Sequence, residues 1–412
     1  MWTTRWMAAA LLACGAASWA EEWPMWRGPR GDGTSLETNI PTRWSGTENI
    51  AWKAPVPGLG HSSPIVWGDR VFVTTYVAEG DKRMLLCYDR RNGRKLWERV
   101  VLQAPPEKKH GLNSYASSTP ATDGQRVWVS FLEAPHVRLV CYDMNGHELW
   151  RVSPGTFHSR HGFCSSVLLH KNLVILNCDQ DAPPNGHAYI VAYDKLTAKE
   201  RWRIDRPNRT RSYCAPAIFQ AAGKTQMVLS GSKCVASYDP DTGQQHWIID
   251  GPTEQFVASM VFTENVFFMT GGFPKLHLLG IAPDGTGNVT ESHILWHHRD
   301  EASYVPSPIA AAGHFFVVTD AGYAICLEAK KGKRMWREKL GRHHSASPVA
   351  AEGRLYFLDD DGAMFVLKAS PRFELVSRNL LGEDCRASPA ISRGQIFLRS
   401  TTNLFCIGRH TP

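Results

Sequence analysis

The sequence predicts an all-β fold: an eight-bladed β-propeller of four-stranded antiparallel blades, its ring closed by an N-terminal strand in the last blade. Three observations carry this reading. A unit recurs eight times, the 412 residues hold 15 Trp and 34 Gly, and the last unit is one strand short. Many short strands joined by tight turns, with one large aromatic per unit, is the composition of a propeller.

The chain divides into a signal peptide (1–20), an N-terminal extension (21–48) and one propeller (49–412). The first segment carries Arg5 and an apolar stretch from Trp6 to Trp19, too short to span a bilayer. Ser18-Trp-Ala20 puts small residues before Glu21, as signal peptidase requires, so a periplasmic or secreted product is expected. Leu11-Leu-Ala-Cys14 loosely matches a lipobox that would instead acylate Cys14. The signal would then be very short and would lack the usual small residue two before the Cys, which favours the soluble product. No other stretch reaches transmembrane length.

Each unit has a Ser-Pro or Ala-Pro start, a turn, an alternating strand and an ending of the form x-Tyr-Asp followed by Gly and Trp. The starts lie at Ser62-Ser-Pro64, Ser118-Thr-Pro120, Cys164-Ser-Ser166, Cys214-Ala-Pro216, Ala258-Ser-Met260, Pro306-Ser-Pro308, Ala346-Ser-Pro348 and Ala387-Ser-Pro389. Endings run from Cys87 to Trp97, Cys141 to Trp150, Ala192 to Trp202 and Ser237 to Trp247. Looser ones run to Trp296 and Trp336, and a seventh, Val366 to Val376, has lost the Trp.

Within a unit, runs such as Val71-Phe-Val-Thr-Thr75 are short, β-rich and preceded by turn residues. The Asp of the ending is expected to cap a hairpin turn in which Gly takes positive φ, and the Trp to stack between blades. The eighth unit ends at Cys406-Ile-Gly408 without a Trp strand. Asn49-Ile-Ala-Trp52-Lys53 is a Trp strand without a unit, so Trp52 is expected to complete the last blade.

These endings resemble the tryptophan-docking motif, Ala-x-Asp-x-x-Thr-Gly-x-x-x-Trp, of the pyrroloquinoline-quinone-repeat propellers, over nearly the whole mature chain. That family includes quinoprotein dehydrogenases, which hold the quinone and Ca²⁺ in the central funnel. It also includes non-enzymatic relatives such as the propeller lipoprotein of the barrel-assembly machinery. The segment Trp23-Pro-Met-Trp-Arg-Gly-Pro29 looks like the leader of secreted quinone-repeat-like proteins and is expected to pack against the propeller's outside.

A quinoprotein dehydrogenase needs carboxylates and amides around Ca²⁺, and the resemblance adds adjacent cysteines over the quinone. This chain has no Cys-Cys pair and no Cys-x-x-Cys-His haem motif, and it lacks long insertions between blades. Quinone with Ca²⁺ is therefore disfavoured and no cofactor is expected. The acidic clusters at Asp179, Asp239 and Asp359 lack Ca²⁺-loop spacing and read as turns. No Gly-x-Ser-x-Gly, phosphate-binding loop or His-Glu-x-x-His is present. Removing residues 1–20 leaves 45 Lys and Arg against 39 Asp and Glu, net +6 without basic runs, which gives no support for nucleic acid. Of nine cysteines beyond Cys14, most are expected to be small buried residues; a bridge among Cys164, Cys214 and Cys385 depends on distance.

The loops before each blade's first strand should open together on one face of the ring, and they are rich in His and Arg. Round the ring they supply His61, then His110, Asn113 and Tyr115, then His158, Arg160 and His161, then Arg209, Arg211 and Tyr213. The remaining loops supply Glu254 and Gln255, Tyr304, Arg342, His343 and His344, and finally Asp384 and Arg386. Cationic groups outnumber acids there, so the face is expected to bind a polar or anionic ligand, or an envelope protein or polysaccharide. Loop residues that merely cap strand ends are the plainer alternative. Two variants follow from the same residues: a transition metal on His158, His161, His343 and His344, and a sugar stacked on Tyr115, Tyr213 or Tyr304. The overall reading is a binding or scaffold propeller rather than an enzyme, with a quinone-dependent oxidoreductase as the alternative.

Overall fold

The computed structural model describes residues 21–183 and 186–409; the expected signal peptide and Cys14 lie outside them. The described residues form strands and turns without an α-helix, and no helix is long and apolar enough to cross a membrane. In chain order the blades occupy 65–103, 121–152, 168–205, 217–250, 261–298, 309–339 and 349–380. The eighth combines Ala390–Ser392, Gln395–Arg399 and Asn403–Ile407 with Ile50–Pro55, which pairs antiparallel to Asn403–Ile407 and places Trp52 opposite Cys406.

First strands of neighbouring blades lie against one another around the axis. The second and third strands are sandwiched between blades and buried on both faces, so Arg70–Val77 and Lys82–Asp89 read as nearly continuous buried runs. Outer strands such as Lys95–Gln103 are largely exposed.

The docking Trp residues behave as a ring of inter-blade clasps. Trp52 donates its indole N–H to Arg90 O (2.6 Å), Trp97 to Met144 O (3.0 Å) and Trp150 to Lys195 O (3.0 Å). Trp202 donates to Pro240 O (3.2 Å), Trp296 to Ala329 O (2.9 Å) and Trp336 to Ser370 O (3.0 Å). Each acceptor lies in the next blade's turn between third and outer strands. Trp247 is the exception and donates to Gln226 Oε1 of its own blade (2.8 Å). The next blade replaces that tight turn with the insertion 282–293, whose Gly287–Asn288 pairs instead alongside Trp247 and Ile248.

The residue before each Tyr-Asp faces the blade's own Trp across the strand pair: Cys87 opposite Trp97, Cys141 opposite Trp150, Cys326 opposite Trp336, Gly280 opposite Trp296. A Cβ on Gly280 would meet the Trp296 indole at 2.2 Å, so in this blade the ring leaves room for glycine alone. All nine described cysteines are free, Cys164, Cys214 and Cys385 among them. The turn Gly has a second duty beyond positive φ, because a Cβ on Gly93 would meet the Trp52 ring at 2.6 Å. The turn Asp caps as expected, Asp143 Oδ1 accepting from the backbone N–H of Asn145 and His147 (both 2.8 Å).

The N-terminal extension departs from expectation. Trp23, 1% exposed, exchanges backbone hydrogen bonds with Val66 of the first blade's inner strand, and Pro24 O accepts from Thr122 of the second. Arg27 then donates to Pro308 O (2.6 Å) of the sixth blade, and Thr34–Ser35 pairs parallel to Ala350 and Ala351 of the seventh. A segment that touches the inner strands of the first, second, sixth and seventh blades crosses the channel rather than lying outside. Only the stretch after it runs outward, where Trp44 N donates to Asn379 Oδ1 (3.0 Å) on the seventh blade's outer strand.

Candidate functional site

Because the N-terminal segment closes one end of the channel, what remains is a blind cavity of about 510 Å³ opening on the face of the inter-blade loops. Trp26 lines it from the closing segment, its indole N–H 3.5 Å from Ser259 Oγ.

Above Trp26 lies a ring of hydroxyls made by the unit starts. The backbone N–H of Ser259 donates to Ser307 Oγ, Ser307 to Ser347 Oγ and Ser347 to Ser388 Oγ (each 2.9 Å). Ser388 donates in turn to Ser63 Oγ (3.0 Å), Ser63 to Thr119 Oγ1 (3.0 Å) and Thr119 to Ser166 Oγ (3.1 Å). Ala215 has no hydroxyl and interrupts the ring. In the third unit the ring residue is Ser166, one position later than the start read from the sequence. Each of these oxygens accepts a hydrogen bond, and among the described residues none donates its own hydrogen to a protein acceptor.

The walls come from the loops. His61, His110, Asn113, Arg160, His161, Tyr213, Tyr304 and Arg386 line the cavity, together with Gln255, Phe273 and Asp320. Burial, reinforced by the cations Arg399, Arg386 and Lys109, pushes His61 down to about 4, so it is neutral at pH 7. His161 is also held low by burial and by Arg211 and Arg160. Its Nδ1 contacts the Tyr213 hydroxyl (3.0 Å), which in turn contacts Ser159 Oγ (2.5 Å). Gln255, 2% exposed, donates Nε2 to the Tyr304 hydroxyl and leaves Oε1 without a partner. An amide's O and N exchange places on a flip, so in either orientation one polar atom of Gln255 is unspent.

Nine predicted residues lie outside the lining: Arg209, Asp384, Arg342, which pairs with Asp361 (3.2 Å), and six more. Tyr115 packs edge-on against Tyr76 (4.7 Å between centroids) beneath the Lys109 ammonium, and is no open stacking platform. Arg211 pairs with Asp181 (3.1 Å), and His343 with Asp360 (2.7 Å). His344 is fully buried with both ring nitrogens unpartnered, and burial pushes it down to about 3. His158 is exposed and Glu254 half-buried, both outside the lining. The four histidines of the metal variant therefore do not converge, and among the described residues no three His, Cys, Asp or Glu form a metal-holding group.

The expected cationic excess is also largely neutralised. Asp360 accepts from Arg386 (2.7 Å) as well as His343, and Asp320 caps the backbone N–H of Tyr304 (2.7 Å) and Val305 (3.2 Å). Asp181, Asp320 and Asp360 follow the blades' second strands, and those turns open on the same face as the loops before the first strands. Reading only the latter loops missed these acids. Arg160, exposed at the rim, makes no hydrogen bond or ion pair among the described residues. Burial holds the Asp320 carboxyl above its ordinary range.

Trp26 and the hydroxyl ring were likewise not singled out from sequence. The signal for the ring is a hydroxyl two residues before the inner strand in every blade but the fourth, where Ala215 stands.

The family described as outer membrane protein assembly factor BamB matches the chain over residues 43–131, 85–338, 288–372 and 320–410. No curated protein sequence matches. Among solved structures, BamB from Moraxella catarrhalis is 11% identical over 87% of this chain and 97% of its own, with a TM-score of 0.59. A europium-containing methanol dehydrogenase is 12% identical over 93% of this chain and 90% of its own, with a TM-score of 0.67. At these identities the two structures show a shared fold and no more.

Proposed function

Since the chain belongs to the BamB family of outer membrane protein assembly factors, we propose that it is a non-catalytic binding propeller of the cell envelope whose funnel receives a polar ligand from an envelope protein or polysaccharide. The observation that carries this is the blind central cavity with its unspent polar groups. A closed, partly apolar cup with a few convergent donors and acceptors is the usual form of a ligand site.

The alternative, a quinone-dependent oxidoreductase, is poorly served by the donor set. Calcium takes six to eight oxygen ligands, carboxylates among them. The cavity lining offers one carboxylate, Asp320, in a wall that also carries Arg160 and Arg386.

A thermal-shift screen of polar metabolites and envelope glycans tests the binding reading. Hits should be abolished in an Arg160→Gln, Tyr304→Phe, Arg386→Gln triple variant that keeps its own melting temperature. Hits with unchanged affinity would place the binding elsewhere. Dye reduction with alcohols after loading with the quinone and Ca²⁺ would overturn the non-catalytic reading.

A further inference from the structure

The hydrogen-bond account of the funnel is lopsided in a way that selects its ligand. Ser63, Ser166, Ser259, Ser307, Ser347 and Ser388 line the cavity, and every one of their oxygens is already an acceptor. Their hydroxyl hydrogens remain to be given, and an N–H donated to a hydroxyl oxygen polarises the O–H into a better donor. The throat thus asks for a ligand rich in acceptors. At the rim Arg160 supplies a guanidinium with no hydrogen bond or ion pair among the described residues, the planar donor fork that fits a carboxylate or sulfate.

A bare inorganic anion satisfies only half of the site. Sulfate, for one, has no hydrogen to give the Asp320 carboxylate, and it would sit in repulsion beside it. The occupant must carry donors as well as acceptors, one negative group, and an apolar face to lie among Trp26, Val257, Val305 and Phe273. A pyranose bearing a carboxylate meets all three demands: its hydroxyls both give and accept, its C–H face is apolar, and its charge is at one end. A cavity of about 510 Å³ has room for one or two such rings.

We propose that the funnel recognises an acidic sugar unit of an envelope or extracellular polysaccharide, with Arg160 on the carboxylate, the serine ring on sugar oxygens, and Asp320 and Gln255 on sugar hydroxyls. This rests on the binding reading above and narrows it to one ligand class.

Titration of the mature protein by saturation-transfer NMR with D-glucuronate, D-glucose and inorganic sulfate tests it. Glucuronate should bind about tenfold more tightly than glucose, and sulfate should not displace it. Arg160→Gln, at an exposed residue without a hydrogen bond or ion pair among the described residues, should remove the preference and bring glucuronate down to the affinity of glucose. A Ser307→Ala, Ser347→Ala variant should weaken both sugars. Equal binding of glucuronate and glucose, or no sugar binding, overturns the proposal, as does sulfate competing on equal terms. In that last case the anion alone is recognised and the funnel still binds, whereas a screen whose hits ignore the triple variant removes the binding reading itself.

Discussion

Trp52 and Arg90 hold each other across the seam where the ring closes. The Trp52 indole, on the strand lent to the eighth blade, donates to Arg90 O of the first blade at 2.6 Å. The Arg90 side chain returns across the same seam to Ser392 O (2.7 Å) and Gln395 Oε1 (3.2 Å) of the eighth. A second buried arginine, Arg399 of the eighth blade, reaches Ser62 Oγ (2.9 Å) in the first. Neither arginine has a carboxylate partner among the described residues, and burial lowers each to about 10.

Replacing Trp52 should therefore loosen the whole ring rather than one blade. Trp52→Ala should lower unfolding free energy by roughly 3–5 kcal/mol, the usual range for a buried Trp. Trp52→Phe should cost less, with the lost N–H bond contributing about 1 kcal/mol. Urea denaturation of the three proteins checks the order; an unaffected Trp52→Ala would mean that the seam does not limit stability.

The turn glycine gives a prediction of opposite sign at one blade. Ala198 occupies that position in the third blade at φ 58°, in the left-handed region where a Cβ is strained. Ala198→Gly should stabilise by about 0.5–1 kcal/mol. Gly93→Ala, at φ 71° and against the Trp52 ring, should destabilise by more than that. Melting temperatures moving in opposite directions are expected.

His344 sets an acid limit. Its folded value, about 3, lies below the ordinary 6.5, through burial and the nearby His343 and Lys339. The unfolded chain takes up the proton first as pH falls, so stability is full above pH 6.5 and is lost progressively toward pH 3. His344→Leu should flatten this part of the pH–stability curve, with His61, pushed down to about 4, leaving a residual slope. At pH 7 it should also gain about 1–3 kcal/mol by removing a buried imidazole without partners. An unchanged acid slope would show that His344 is not the titrating group.

The fold was legible because its determinants are local and repeated. Each Trp, its facing small residue and its turn Asp recur at fixed spacing, and the orphan strand around Trp52 matched the missing strand after Cys406. The site was half legible. His61, Arg160, Tyr304 and Arg386 could be placed on one face by topology alone. Their partners could not, because Asp320 and Asp360 come from a different turn of the blade, and a pairing such as Asp360 with Arg386 joins two blades. The path of the closing segment was hidden for a different reason. Nothing in Trp23-Pro-Met-Trp26 distinguishes a channel plug from a surface strap until Trp23 is seen against Val66 and Arg27 against Pro308.

A crystal structure of the protein soaked with D-glucuronate shows whether the funnel is a ligand site. Sugar density is expected beside Trp26 and the serine ring, with the carboxylate on Arg160. Sugar bound elsewhere, with the funnel holding only water, would contradict it.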